Sequence, residues 1–354
     1  MRIALLAPPY LPVPPKAYGG TEKIVSLLAE GLVARGHDVT LFAAGDSITK
    51  AKLVSTYPAS LGNSGLKKSD TLEPLLQYDA CYRRAKEFDI IHSHGQYLSL
   101  FGARNLGTPV VFTWHGSFFP GEVPEEKRET LRAFSDLPII SISNNQRQAL
   151  PGLNYPATVY NSLDIQEYPY VEKPTADYLL WVGRMSPKKG AVEAIEVARK
   201  LGMRLQMAAA LDPIDVPYFE KEVKPKIDGV NIVFHGEMTH PMLMTLYGNA
   251  KAVLYPISWH EPFGLVMIES MACGTPVVGY NMGSVPEVVE DGVTGFVLAP
   301  RAGIDGLVQG VKRLGEIDRK ACRTRVEKYF HKDRMVLDYE AVYQKIVEGY
   351  ARWR

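Results

Sequence analysis

Short apolar runs recur along the chain, separated by polar or amphipathic stretches. Residues 2–7, RIALLA, read as a buried strand. Residues 21–36, TEKIVSLLAEGLVARG, place apolar positions at helical spacing and stop at Gly36. Strand-like runs follow at DVTLFAA, FDIIHSH, TPVVFTWHG and LPIISIS, with helical stretches between them. From Ala176 the alternation begins again, through DYLLWVGR, MRLQMAA, VNIVFHG, AVLYP, TPVVGY and TGFVLAP. Strands alternating with helices, twice over, predict two α/β domains, each a doubly wound, Rossmann-like parallel sheet. The polar segment 161–177, NSLDIQEYPYVEKPTAD, carries two prolines and no apolar period, and reads as the linker. Residues 332–353 read as one long amphipathic helix.

Composition narrows the function classes. A length of 354 residues suits two domains. Forty Lys and Arg against 39 Asp and Glu leave no basic excess, which argues against a dedicated nucleic-acid binder. Cys81, Cys273 and Cys322 are scattered, suggesting neither a disulfide framework nor a zinc cluster. Met1 leads straight into an apolar strand and a proline-rich loop, unlike a signal peptide, and no apolar run is long enough to span a bilayer. The expectation is a cytoplasmic protein, with peripheral contact at the inner face of a membrane left open. Basic pairs such as Lys67-Lys68 and Arg83-Arg84 read as solvated surface.

Candidate chemistry falls at strand ends, where ligands bind in open parallel sheets. After the first strand, Gly19-Gly20 leads into a helix whose free N–H groups suit an anion. No G-x-G-x-x-G fingerprint stands there, which counts against a nicotinamide dehydrogenase. His92 and His94 close one strand; a metal would need a third ligand that no Cys/His cluster supplies, so they read as structural. His115 closes another strand, placed either to meet a sugar hydroxyl or to sit hydrogen-bonded in the core. In the second half, Arg184, Lys188 and Lys189 surround a Pro187 turn between strand and helix. That turn suits a phosphate, with Lys188 equally at home on an exposed loop.

The run HEPFGLVMIESMACG, 260–274, poses a sharper problem. Leu265 to Cys273 suits a helix that is apolar nearly all round, hence buried, yet it carries Glu269. A buried carboxylate needs donors: a nearby Arg, backbone amides, or the paired hydroxyls of a ribose. Glu261 precedes the helix in the loop, and amides at the helix start would point at an anion between the two acids. A carboxylate for a sugar, amides for phosphate and a carboxylate for a ribose together describe a nucleotide sugar.

These motifs, with VYNSLDI, VGRMSPKKG and PVVGYNMGSVPEVVEDGVTGF, run through nearly the whole chain. In that order and spacing the chain resembles the retaining glycosyltransferases of family four, of GT-B fold. The resemblance implies two Rossmann-like domains facing a central cleft: an acceptor-side domain at 1–165 and a donor domain at 166–334. A C-terminal helix, 335–354, would cross back to the first. It implies transfer of a hexose-type sugar from a nucleotide diphosphate sugar, a UDP-sugar foremost, with retained anomeric configuration and no metal. Arg184 and Lys189 would hold the diphosphate and stabilise the leaving group, Glu261 would contact the sugar, and Glu269 the ribose. Phe263, Gly264, Leu265 and Val266 would offer backbone to sugar and phosphate. Gly20 would close on the phosphates, His115 would lie near the transferred sugar, and the base would rest against backbone from His235 to Met238. Met282-Gly283 and Ser162 stand where many relatives carry glycines, the first of them in a loop near the donor sugar. The acceptor, a sugar, lipid or small molecule, falls to the loops 44–70 and 116–127, whose sequence follows no readable pattern. A phosphorylase of the same fold and a non-catalytic nucleotide-sugar-binding protein are the alternatives. Intact Glu261, Glu269, Arg184 and Lys189 weigh against the second.

Overall fold

The computed structural model describes residues 1–16, 19–63 and 72–352; Lys67, Lys68, Trp353 and the end of the 44–70 loop lie outside them. Two compact units emerge, Met1–Ser162 with Lys332–Arg354, and Leu163–His331. Their limits stand beside the boundaries at 165 and 334 read from the sequence.

The first unit holds β1 (Arg2–Leu6), β2 (Asp38–Phe42), β3 (Lys52–Val54), β4 (Ile90–Ser93), β5 (Val110–Thr113) and β6 (Ile139–Ile140). They form one sheet in the order β3-β2-β1-β4-β5-β6, and every pairing is parallel. Ile3, Ala4, Leu5 and Leu6 are all fully buried. Helices cover both faces of a parallel sheet, so its strands read as continuous apolar runs rather than alternating ones. Among these strands, only β3 was missing from the sequence reading. It is three residues long, lies at an edge and is partly exposed, so it has no apolar run to announce it.

The helix Lys332–Arg352 belongs to this unit and packs on the helix Gly20–Ala34. A Cβ at Gly31 would stand 2.4 Å from Val336 Cγ2, so the contact needs a residue without one. Two buried tyrosines of the C-terminal helix reach the sheet. The Tyr343 hydroxyl lies 2.6 Å from His92 Nδ1 and the Tyr339 hydroxyl 3.1 Å from Thr113 Oγ1, while His92 Nε2 meets Thr113 Oγ1 at 2.8 Å. His92 is therefore structural, as its sequence context suggested.

The second unit repeats the design with β7 (Tyr178–Arg184), β8 (Arg204–Ala210), β9 (Ile232–Phe234), β10 (Ala252–Tyr255), β11 (Val277–Tyr280) and β12 (Gly295–Leu298). The order is β12-β11-β10-β7-β8-β9, again all parallel. Trp181, Ile195, Leu205, Met207, Leu254 and Phe296 lie in its core. In each sheet the first strand of the unit neighbours the fourth. The connections diverge there, and the carboxyl ends leave a crevice for ligands.

One expectation needs correction. The segment 161–177 is no free linker: Tyr168 is buried, and the Val171 amide donates to Cys273 O at 3.1 Å. The segment straps the second unit, and a lone buried aromatic carries no period by which a sequence could show it. No helix among the described residues is long and apolar enough to cross a membrane.

Replacing Tyr343 by Phe leaves the fully buried His92 Nδ1 without its hydroxyl. The variant should unfold with about 1–3 kcal/mol less stability in urea. An unchanged midpoint would show that the C-terminal helix docks without this bond.

Candidate functional site

The crevice of the second unit lies between the ends of β7 and β10. The chain leaves β7 at Arg184, makes the short turn Pro187–Lys189, and enters the helix Ala191–Leu201 through Gly190. Gly190 has φ +73°, and a Cβ there would stand 2.2 Å from Pro256 O, so the basic turn sits directly on the loop after β10. Trp181 Nε1 donates to Lys189 O at 2.9 Å, and the Ser258 amide to Lys188 O at 3.0 Å. This seating brings Lys189 Nζ into an ion pair with Glu261 Oε2. The Tyr255 hydroxyl donates to the same carboxylate oxygen at 3.0 Å. Lys189 Nζ also lies 5.0 Å from the centre of the Trp259 ring, within cation–π range, and the buried Trp259 Nε1 finds no partner among the described residues.

Glu261 is clamped from behind. Gly283 has φ +56°, and a Cβ there would lie 2.3 Å from the Glu261 amide nitrogen; the Ser284 amide donates to Glu261 O at 2.9 Å. Of the pair Met282-Gly283, the second position is thus the one that demands glycine, and Met282 packs on the core. Arg184, 45% exposed, has its Nε 3.1 Å from Asp215 Oδ2, on a side chain only 9% exposed. Burial raises the Asp215 pKa, and Arg184 partly offsets that. The charge at the end of β7 therefore has a partner within its own unit.

The helix opening at Leu265 runs to Ala272 and starts from Gly264, φ +78°, where a Cβ would meet the Tyr255 hydroxyl at 2.6 Å. Its first-turn N–H groups have no acceptor within the helix. Met267, Ile268 and Ser270 to Cys273 are buried, whereas Leu265, Val266 and Glu269 are half-buried. Glu269 is held by two phenols: the Tyr168 hydroxyl donates to Oε1 at 3.3 Å and the Tyr247 hydroxyl to Oε2 at 3.2 Å. Burial, then the neighbouring carboxylate, push both tyrosine pKa values well above normal, so both remain donors. Of the partners considered from sequence, neither Arg nor backbone supplies these two bonds. His235, exposed, meets Gln206 Oε1 at 2.6 Å, and Met238 is half-buried after β9.

In the first unit, Gly20 opens the helix after β1. His94 Nδ1 and His115 Nε2 lie 2.9 Å apart, and buried His94 Nε2 has no partner among the described residues. Burial drives the His115 pKa down to about 4 and those of His92 and His94 well below normal, with neighbouring histidines adding to the last two. All three are neutral imidazoles at pH 7. His94, set aside as structural, is the direct partner of His115. Among the described residues, no group of three or more His, Cys, Asp or Glu is arranged to hold a metal ion.

Comparison with known proteins bears on the family and the fold. The profile of the glycosyltransferase family 4 matches residues 18–167, and that of the glycosyl transferases group 1 matches residues 166–329. The chain belongs to the family 4 glycosyltransferases. Its fold is GT-B. A glycogen synthase of Mycobacterium tuberculosis is 26% identical over 366 aligned residues, covering 88% of this chain and 86% of that protein. The solved sucrose-phosphate synthase of Thermosynechococcus elongatus shares the fold at 20% identity, with 98% and 99% of the two chains covered and a TM-score of 0.79. Anabaena HepE, solved in complex with UDP and glucose, does so at 18% identity, with 96% and 98% covered and a TM-score of 0.72.

For this glycosyltransferase, the second unit brings Lys189 and Glu261 into contact, with Phe263 and Gly264 continuing the same loop. Tyr168, Tyr247, Tyr255, Trp259 and Asp215 were missed from sequence. Trp259 stands two residues before Glu261 and Tyr255 six, and both could have been suspected; Tyr168, Tyr247 and Asp215 lie farther from the motif, and only folding brings them in.

The neutral histidines set a pH dependence. In the unfolded chain their pKa returns to about 6.5. The unfolded state therefore takes up protons first as pH falls. This contribution is complete above that value and is lost toward about 4, the folded-state value of His115. The melting temperature should fall between about pH 7 and pH 5, before most carboxylates titrate, and His94→Gln should flatten the decline. A flat profile in wild type would contradict neutral burial.

Proposed function

We propose that this glycosyltransferase moves a hexose-type sugar from a nucleotide diphosphate sugar, a UDP-sugar foremost, with retention at the anomeric carbon and without a metal ion. One observation carries the reading: a cation and a carboxylate, Lys189 and Glu261, meet in the loops after β7 and β10, beside a helix N-terminus, with a second cation, Arg184, at the end of β7. The fold likeness to HepE, solved with UDP and glucose, supports the donor class.

In this reading the bond from the anomeric carbon to the β-phosphate oxygen breaks. Lys189, Arg184 and the first amides of the helix Leu265–Ala272 stabilise the charge growing on the leaving phosphate, as preorganised donors do in other enzymes. Glu261 faces the sugar, where its charge favours the positive character developing on the ring. Glu269, oriented by Tyr168 and Tyr247, takes two ribose hydroxyls. The base lies against backbone from His235 to Met238, Gly20 closes on the phosphates, and neutral His115 exchanges a hydrogen bond with the transferred sugar. The acceptor proton leaves on the departing phosphate oxygen, on the same face as the incoming hydroxyl.

Nucleotide sugars and sugar 1-phosphates should be offered to the protein in excess EDTA, with the product anomer read by NMR. Turnover of a nucleotide sugar with retained configuration is expected; a requirement for a sugar 1-phosphate would make the protein a phosphorylase, and activity restored only by Mn²⁺ or Mg²⁺ would refute metal independence. Glu261→Gln should lower turnover by about 10²-fold or more while leaving nucleotide-sugar affinity nearly intact, as expected of an interaction strengthened in the transition state. Glu269→Gln should mainly weaken donor binding, by about 1–3 kcal/mol. The reverse assignment of effects would exchange the roles of the two acids.

A further inference from the structure

The cations of this site are not bare. Lys189 Nζ is paired with Glu261, on side chains 18% and 11% exposed, and Arg184 is countered by Asp215. The first pair is no loose surface contact. Gly190 seats the lysine turn on Pro256 O and Gly283 seats the Ser284 loop on the Glu261 backbone, both at approaches that a side chain would forbid. Tyr255 holds the Glu261 oxygen that meets the ammonium, and the Trp259 ring flanks the ammonium. Largely withdrawn from water, such a pair contributes little net stability, since desolvating two charges costs about what their attraction returns. Its position gives it a different consequence.

We propose that Glu261 competes with phosphate for Lys189 and thereby sets how fast the nucleoside diphosphate product leaves. This rests on the reading that the donor's diphosphate binds at Lys189. A nucleotide sugar brings hydroxyls that can donate to Glu261, so its carboxylate is satisfied while Lys189 turns to phosphate. After transfer the sugar is gone, and the terminal phosphate carries a further negative charge near neutral pH. Among the described residues, the donors left to the Glu261 carboxylate are then Lys189 and Tyr255, and its charge opposes the phosphate at close range. The same carboxylate therefore holds substrate and expels product.

Isothermal titration of wild type, Glu261→Gln, Lys189→Met and the double variant tests this. UDP, ADP and GDP are the probes, and the tightest binder carries the series, with its monophosphate as control. Glu261→Gln should bind the diphosphate roughly tenfold more tightly, about 1.4 kcal/mol, with the monophosphate unmoved. Lys189→Met should weaken the diphosphate, and adding Glu261→Gln to it should recover little, because the two effects share one contact. Tyr255→Phe leaves the carboxylate charge intact but removes its competing donor, and should weaken the diphosphate, which serves if the glutamine variant does not fold. A glutamine variant that binds the diphosphate no tighter than wild type, or tightens it equally without Lys189, overturns the proposal. If Lys189→Met leaves diphosphate affinity untouched, the location of the phosphate site itself is wrong.

Discussion

A lysine ammonium and a glutamate carboxylate, both mostly shielded from water, face each other where β7 and β10 end. Neither charge tolerates that position alone, so each requires the other or a ligand in its place. Much of the second unit's local structure serves this constraint. The parallel order β12-β11-β10-β7-β8-β9 makes β7 and β10 neighbours although three helical crossings separate them in sequence. Gly190 and Gly283 allow backbone approaches under 2.5 Å from where a Cβ would be, and Gly264 turns the chain into the helix that carries Glu269.

The two acids differ in how they are held. Glu261 is bound by a cation and one phenol, so its charge is balanced within the protein. Glu269 accepts from two neutral phenols, one on each oxygen, which fix the orientation of its carboxylate. A carboxylate of the second kind is ready for hydroxyl donors; one of the first kind must exchange partners when a ligand enters. That contrast is the physical basis for giving binding to one and turnover to the other.

Of the twelve strands among the described residues, eleven stand in the sequence as apolar runs, because parallel strands covered on both faces have no polar alternation to blur them. The three-residue edge strand Lys52–Val54 does not. The turn Pro187–Lys189 and the two glutamates are legible because charge beside an apolar run demands an explanation. Tyr168 was hidden in a segment whose prolines and polar residues read as a linker, and Asp215 in a loop with no pattern. What joins them to the site is contact across the fold, and no local spacing records that. His94 was read as structural, but its bond to His115 required two strand ends to be brought side by side.

The central claim is that the diphosphate of a donor rests between Lys189, Arg184 and the opening of the helix Leu265–Ala272. A crystal structure of the protein with a bound nucleoside diphosphate tests it most directly. The account predicts phosphate oxygens within about 3 Å of Lys189 Nζ and of the Arg184 guanidinium, as charge-assisted bonds require, with the ribose on Glu269. A diphosphate bound away from Lys189, with the Lys189–Glu261 pair undisturbed and the ribose away from Glu269, would contradict it.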